Sequence, residues 1–306
     1  MPVAKHDSTK KALSASVRKG ATVLFQGDCR VLLAAMKDET IDLTITSPPY
    51  CIGKAYESES TTTADFIKTQ KEVLPEVVRV TRQGGSICWQ TGYHVTDGEA
   101  FPLDFAIYEI LKDIPGVHLR NRIIWSFGHG LNSTTRFSGR HEVVLWFTKG
   151  EHRFNLDTIR VPQKYPGKRH YKGENKGMLS GNPLGKNPGD VWEMPNVNAN
   201  HIEKTDHPCQ FPVALAQRFV RALCPIDGIV FDPFMGSGSS GVAAELEKRR
   251  FLGSEIFPNY MTLALNRLDL AKRGRIQVRE LDKPIYVPDP NSAVAKRPEH
   301  FTTEVQ

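Results

Sequence analysis

Apolar and polar positions change period several times along this chain. Residues 21–25 (ATVLF) form a short β-rich run closed by Gly27, residues 31–36 (VLLAAM) have helical character, and residues 41–46 (IDLTIT) alternate as a strand does. From 65 to 82 the apolar positions Phe66, Ile67, Val73, Leu74, Val77, Val78 and Val80 fall at helical spacing. Gly84-Gly85 punctuates the pattern before a strand predicted over 86–89. A helix over 101–112 follows, then strands over 120–125 and 142–147 around a glycine-rich polar loop. Beyond an irregular stretch the alternation resumes with helix 212–223, strand 228–231, a glycine-rich turn, helix 240–249, strand 251–256 and helix 260–272. Short strands alternating with longer helices predict an α/β fold: a mostly parallel sheet with helices on both faces.

Between 149 and 201 the periodicity disappears in favour of Gly, Pro, Asn, Lys, Arg and aromatic residues. Residues 151–190 hold eight Lys+Arg against four Asp+Glu. The expected organisation is a basic tail (1–19), a first part of the α/β domain (20–148), a basic irregular insertion (149–201), a second part (202–275) and a proline-rich C-terminal tail (276–306).

Composition narrows the class. A chain of 306 residues with 40% hydrophobic content can bury one large core, and its 24% charged residues do not suit a membrane-embedded protein. No apolar run reaches the roughly 20 residues that span a bilayer. The basic N-terminal segment has no apolar stretch behind it, so no secretory signal is expected. Five cysteines, none in a CxxC pair, argue against a disulfide scaffold or a metal module and suit a reducing cytoplasm. A net charge of +6 permits a polyanionic partner without requiring one.

Two strand ends carry candidate chemistry. After strand 228–231 comes Asp232-Pro233-Phe234-Met235-Gly236-Ser237-Gly238, and then a helix. Glycines there let the backbone approach a ligand closely, at the place where nucleotide-like ligands sit in open α/β sheets. Glu255 ends the next strand, where an acidic side chain can accept both ribose hydroxyls. The other end is Thr46-Ser47-Pro48-Pro49-Tyr50. Two prolines cannot continue a strand interior, so the chain leaves the sheet in a stiff extended form. The Ser47 hydroxyl and the Pro48 carbonyl then offer two acceptors for a planar amine, and Tyr50 offers a ring to stack on it. A plain strand exit with a packed tyrosine is the competing reading.

Together, strand–TSPPY, strand–DPFMGSGSS and the LGSEI strand resemble the S-adenosylmethionine-dependent DNA amino-methyltransferases, over roughly residues 20–275. The order, with TSPPY before DPFMGSG and a basic insertion between, resembles the family's permuted beta group, whose insertion is the target-recognition region. Gly27-Asp28-Cys29, Gly189-Asp190-Val191-Trp192 and His207-Pro208-Cys209-Gln210-Phe211-Pro212 also resemble family segments, although Phe211 stands where the family commonly has lysine. The resemblance implies a Rossmann-like methyltransferase fold and S-adenosylmethionine as cofactor. It implies a site for a flipped base at Ser47, Pro48, Pro49 and Tyr50. It further implies cofactor contacts from Asp28, Asp232, Phe234, Gly236, Gly238 and Glu255, although an Asp at a helix start is otherwise most often a cap. Serine at the first position tends to accompany cytosine N4 methylation and aspartate adenine N6. Ser47 therefore points to cytosine, as in restriction-modification, with adenine N6 as the alternative.

Double-stranded DNA is the implied partner, and Arg136, Lys164, Lys168, Arg169 and Lys172 are its candidate contacts, because basic side chains on loops reach phosphates and base edges. A monomer and a homodimer both remain open. Pro208-Cys209-Gln210 spells the nucleophile tripeptide of carbon-5 cytosine methyltransferases. Here, however, it precedes the glycine-rich turn, and the glutamate partner motif Glu-Asn-Val is absent. Cys209 is expected to be a buried or half-buried structural thiol. A methyltransferase acting on small molecules or proteins would need neither Ser-Pro-Pro-Tyr nor the insertion, and a non-catalytic DNA-binding module would have no use for Glu255.

Overall fold

The computed structural model describes residues 16–50, 62–128, 130, 132–293 and 295–296. The basic tail up to residue 15, Cys51 and the end of the C-terminal tail lie outside the described residues.

Four parallel strands form the centre: β2 (Thr22–Gln26), β11 (Arg250–Glu255), β10 (Ile229–Asp232) and β3 (Ile41–Thr46), followed by parallel β4 (Thr81–Thr91). An antiparallel pair, β8 (His141–Lys149) and β7 (Val117–Ser126), extends the sheet beyond β4. Adjacent residues on a strand point to opposite faces. Leu24 and Val230 accordingly enter one core layer while Phe25 and Phe231 enter the other. Helices cover both faces, so β3 is buried along its whole length, as parallel strands require. Helices α4 (Val213–Leu223), α5 (Ser239–Leu246) and α6 (Pro258–Lys272) form one layer, with Phe219, Val242, Ala264 and Leu268 packed inside. Helices α1 (Cys29–Ala35), α2 (Thr63–Val80) and α3 (Leu103–Leu111) form the other, around Leu33, Phe66, Leu74, Val77 and Ile107. A capping box sets the start of α2: Thr62 accepts from the Asp65 backbone, and Asp65 accepts in return.

Several local expectations change. Strand β4 runs straight through Gly84-Gly85, because the end of α2 passes directly into it. Strand β1 (Ser16–Lys19), within the expected tail, pairs antiparallel with β2. A hairpin of β5 (Tyr93–Thr96) and β6 (Glu99–Pro102) takes the first residues expected of helix 101–112. The insertion is also anchored to the sheet. Strand β9 (Val191–Glu193) lies parallel to β7 at the sheet edge, and Trp192 is buried 4.8 Å from the Phe219 ring. Within it, bridges Val161–Lys186 and Arg169–Leu179 fold residues 161–186 into an irregular, solvent-exposed hairpin. In the C-terminal tail Leu281 is buried against the core. No helix among the described residues is long and apolar enough to cross a membrane.

Candidate active site

The C-terminal ends of β2, β11, β10 and β3 open into one cleft of about 1050 Å³. Ser47, Pro48, Pro49 and Tyr50 line it from the exit of β3, Phe234 and Gly236 from the glycine-rich turn, Glu255 from the end of β11 and Asp28 from the turn after β2. Both motif groups singled out in the sequence therefore face a common space.

The glycine-rich turn is held from several sides. Gly236 has φ +49°, and a Cβ there would lie 2.7 Å from His207 Nε2, so neither the backbone angle nor the space admits a side chain. Glu255 is buried and accepts from the Gly236 and Phe257 backbone N–H groups, each at 2.9 Å. Burial raises its carboxyl above the usual range, against those two hydrogen bonds. Arg267, itself buried, donates to the Ser237 carbonyl at 2.8 Å and stands 3.8 Å from the buried Glu203 carboxylate. Burial pushes its guanidinium down to about 10.

Two expected cofactor residues do not line the cleft. Asp232 is fully buried behind it, accepting from Thr46 Oγ1 at 2.5 Å, from the Phe234 N–H at 3.0 Å and from the Ser240 hydroxyl. Its carboxyl is pushed up to about 6, mainly by burial. It thus ties the end of β3 to the turn and to the start of α5. Gly238 is the cap residue of α5, where a Cβ would lie 3.0 Å from Ala264, so it serves the close approach of α6. Asp28 lines the cleft and also caps α1: it accepts from the Arg30 N–H at 2.9 Å and pairs with the Arg30 guanidinium at 2.6 Å. That partner holds its carboxyl below the usual range.

At the other wall, Ser47 Oγ donates to the Tyr50 hydroxyl at 3.1 Å, and Tyr50 donates to Glu142 Oε2 at 3.4 Å. Gln90 donates to the same oxygen. Glu142, the second residue of β8, carried no sequence signal. Cys209 is exposed on the cleft wall instead of buried, because His207 and Gln210 on either side turn inward. His207 Nδ1 accepts from the Cys209 N–H at 3.2 Å, and its ring lies 4.4 Å from that of Tyr260.

Burial lowers His207 to about 4, so the folded chain keeps this imidazole neutral. Below the ordinary value near 6.5 the unfolded chain takes up the proton first, and stability drains as the pH falls from about 6.5 to about 4. At pH 5 the loss from this group is on the order of 2 kcal/mol. His207→Asn should flatten the fall accordingly, a difference that urea unfolding at pH 7.5 and pH 5 reads directly. An unchanged pH dependence would contradict the assignment.

The five candidate DNA contacts are exposed and lie outside the cleft lining. Lys164, Lys168, Arg169 and Lys172 sit on the insertion hairpin, with Lys164 Nζ 5.5 Å from the Tyr165 ring centroid and Arg169 donating to the Gly177 carbonyl. Arg136 sits on the loop between β7 and β8, its guanidinium 5.7 Å from the Tyr93 ring centroid. No cluster of three or more His, Cys, Asp or Glu among the described residues could hold a metal ion.

The sheet order and the position of the cleft define a Rossmann-like methyltransferase fold. Its PvuII DNA methyltransferase (cytosine-N4-specific) counterpart superposes with a TM-score of 0.64 at 21% identity, over 80% of this chain and 85% of that one. A family model described as DNA methylase (N6_N4_Mtase) matches residues 41–266, and the chain belongs to that family. The Type II methyltransferase M.BglII of Bacillus subtilis is 44% identical over 79% of this chain and 67% of its own length. DNA adenine methyltransferase YhdJ of Escherichia coli (strain K12) is 31% identical over 82% and 84%. A DNA modification methylase of Thermus thermophilus, solved in complex with S-adenosyl-L-methionine, is similar at 26% identity with a TM-score of 0.57, covering 82% of this chain and 96% of that one.

Proposed function

We propose that this chain transfers the methyl group of S-adenosylmethionine to the exocyclic N4 of a cytosine flipped out of double-stranded DNA, as the modification half of a restriction-modification pair. The observation that carries this reading is the shared cleft: the Ser47–Tyr50 strand exit faces the same space as the glycine-rich turn and Glu255. Membership in the DNA methylase family and the Type II methyltransferase relatives support it.

The residues present fit the cofactor. Phe234 and Gly236 offer a backbone that approaches a ligand closely, and only a glycine fits at 236. Glu255 holds its carboxylate in place with two backbone N–H groups, and its remaining lone pairs can accept ribose hydroxyls. When bound, S-adenosylmethionine supplies an electrophilic methyl on a sulfonium. An exocyclic amine has its own lone pair, so this chemistry needs no covalent enzyme intermediate, and Cys209 has no catalytic task. The duplex hides that amine, so the base is extruded before it can react. Ser47 spends its hydroxyl hydrogen on Tyr50 and keeps its oxygen lone pairs for an amino hydrogen. The Pro48 carbonyl is the second acceptor, since the strand exit stiffened by the two prolines fixes its direction.

Ser47 favours cytosine. Methylation of adenine N6 is the second reading, favoured by the similarity to an adenine methyltransferase. Incubation of mixed-sequence duplex DNA with methyl-deuterated S-adenosylmethionine, followed by nucleoside mass spectrometry, separates the two. A mass increase on deoxycytidine is expected; an increase on deoxyadenosine supports the second reading, and none on either overturns both.

The exposed insertion hairpin supplies phosphate contacts in this reading. Each phosphate neutralised contributes about 0.9 to the slope of log K against log salt on duplex DNA. Replacing Lys168 and Arg169 by alanine should therefore lower that slope by about two, on specific and random duplexes alike. A wild-type slope would put both residues outside the interface.

A further inference from the structure

Ser47 and Tyr50 line the main cleft, whereas Glu142 lines a different cavity, bounded by Gly92, Tyr93, Asp104, Arg122 and His141. The chain of hydroxyls between them, Ser47 to Tyr50 at 3.1 Å and Tyr50 to Glu142 at 3.4 Å, crosses from one space to the other. The geometry points to a proton relay: Glu142, acting through Tyr50 and Ser47, receives the proton that the target amine must lose and delivers it to the second cavity. This inference rests on the amino-methylation reading above.

The need for such a route follows from the reaction. As the nitrogen–methyl bond forms and the sulfonium–methyl bond breaks, the amine nitrogen becomes positive and must shed one proton. A bound duplex covers the cleft, and Tyr50 (9% exposed) and Gln90 (3% exposed) shut water off from below. Ser47 Oγ accepts the amine proton while its own hydrogen passes to Tyr50, and the Tyr50 hydrogen passes to Glu142. Both hydroxyls end as they began. The products are a methylated neutral amine, a neutral thioether and a protonated Glu142, so the positive charge of the sulfonium and the negative charge of the carboxylate both disappear. Opposite charges in a site of low polarity favour that outcome.

Glu142 is suited to its place in the chain. Gln90 donates to the same oxygen as Tyr50, fixing the carboxylate toward the hydroxyl. It is half-buried, so its proton can leave by the second cavity. Among the described residues, the titratable and charged groups around it are Tyr50, Tyr93, His141 and the Asp104–Arg122 pair, which is closed at 2.7 Å.

Glu142→Gln keeps an acceptor for Tyr50 but cannot take a proton. The first readout uses neither cofactor nor DNA. In protein labelled with ¹³C at the tyrosine ζ carbon, the Tyr50 resonance should move with pH as the Glu142 carboxylate titrates, and it should stay fixed in E142Q. The second is single-turnover methylation of a saturating duplex. Wild type should lose rate as the pH falls through that same titration. E142Q should be about a hundredfold slower, with the acid limb gone and S-adenosylmethionine affinity unchanged, while Glu142→Asp should retain the limb. A Tyr50 resonance that ignores pH in the wild type overturns the relay. So does an E142Q with the wild-type rate and profile, provided that the wild type methylates DNA. A wild type that transfers no methyl to DNA fails the functional reading, and the relay with it.

Discussion

Ser47→Ala should transfer methyl to a saturating duplex a hundredfold to a thousandfold more slowly than wild type, with its affinity for S-adenosylmethionine and for DNA nearly intact. The hydroxyl is half-buried beside Tyr50, and its lone pairs face the cleft. Its grip on an amino hydrogen strengthens as the nitrogen rehybridises and gains positive charge, so the interaction is worth more in the transition state than in the ground state. Loss of one such preorganised group costs about 2.7–4 kcal/mol by analogy with an oxyanion-hole donor. Single-turnover kinetics isolate that step from binding and release. A wild-type rate in the variant would reduce Ser47 to a strand-exit residue.

Asp232→Ala should instead destabilise the whole fold. Three donors lose their acceptor at once: the Thr46 hydroxyl, the Ser240 hydroxyl and the Phe234 N–H. Each buried donor left unsatisfied costs about 1–3 kcal/mol. The opposing gain is relief from burying an ionised carboxylate, whose cost shows in the rise of its carboxyl to about 6. Hydroxyl rotors can turn toward other acceptors, whereas a backbone N–H cannot. A net loss of about 3 kcal/mol follows, together with a cleft whose two walls are no longer tied together. Urea unfolding at pH 7.5 measures the first, and calorimetry with S-adenosylmethionine measures the second. A variant as stable as wild type would place Asp232 among the cofactor contacts rather than beneath them.

Asp232 marks the boundary of what the sequence makes legible. Its position after a strand and before a glycine-rich turn identifies the turn, but its partner Thr46 lies 186 residues away, and no local pattern announces that bond. The same holds for Glu142, which is 92 residues from Tyr50. It sits on a strand that periodicity finds without distinguishing its second residue. Elements with a long or clean period are readable: α2 through its apolar stripe and capping box, and the parallel strands through their continuous burial on both faces. The β5–β6 hairpin went unread although it carried a signal, Asp97-Gly98, both with positive φ as its tight turn requires. Cys209 shows how a single residue escapes composition. Cysteine is among the residues most often buried, yet here its two polar neighbours His207 and Gln210 take the inward positions.

The bond that the methyl group makes tests the account most directly. A duplex carrying ¹⁵N at the exocyclic amines of cytosine, treated with S-adenosylmethionine bearing a ¹³C-methyl group, can be digested and read by NMR. The account predicts a methyl carbon with a one-bond coupling to exocyclic ¹⁵N. A ¹³C signal in the DNA without that coupling, in parallel with a duplex labelled at adenine N6 that also shows none, would mean that the methyl went to carbon or oxygen, and it would contradict amino transfer at the Ser47–Tyr50 site.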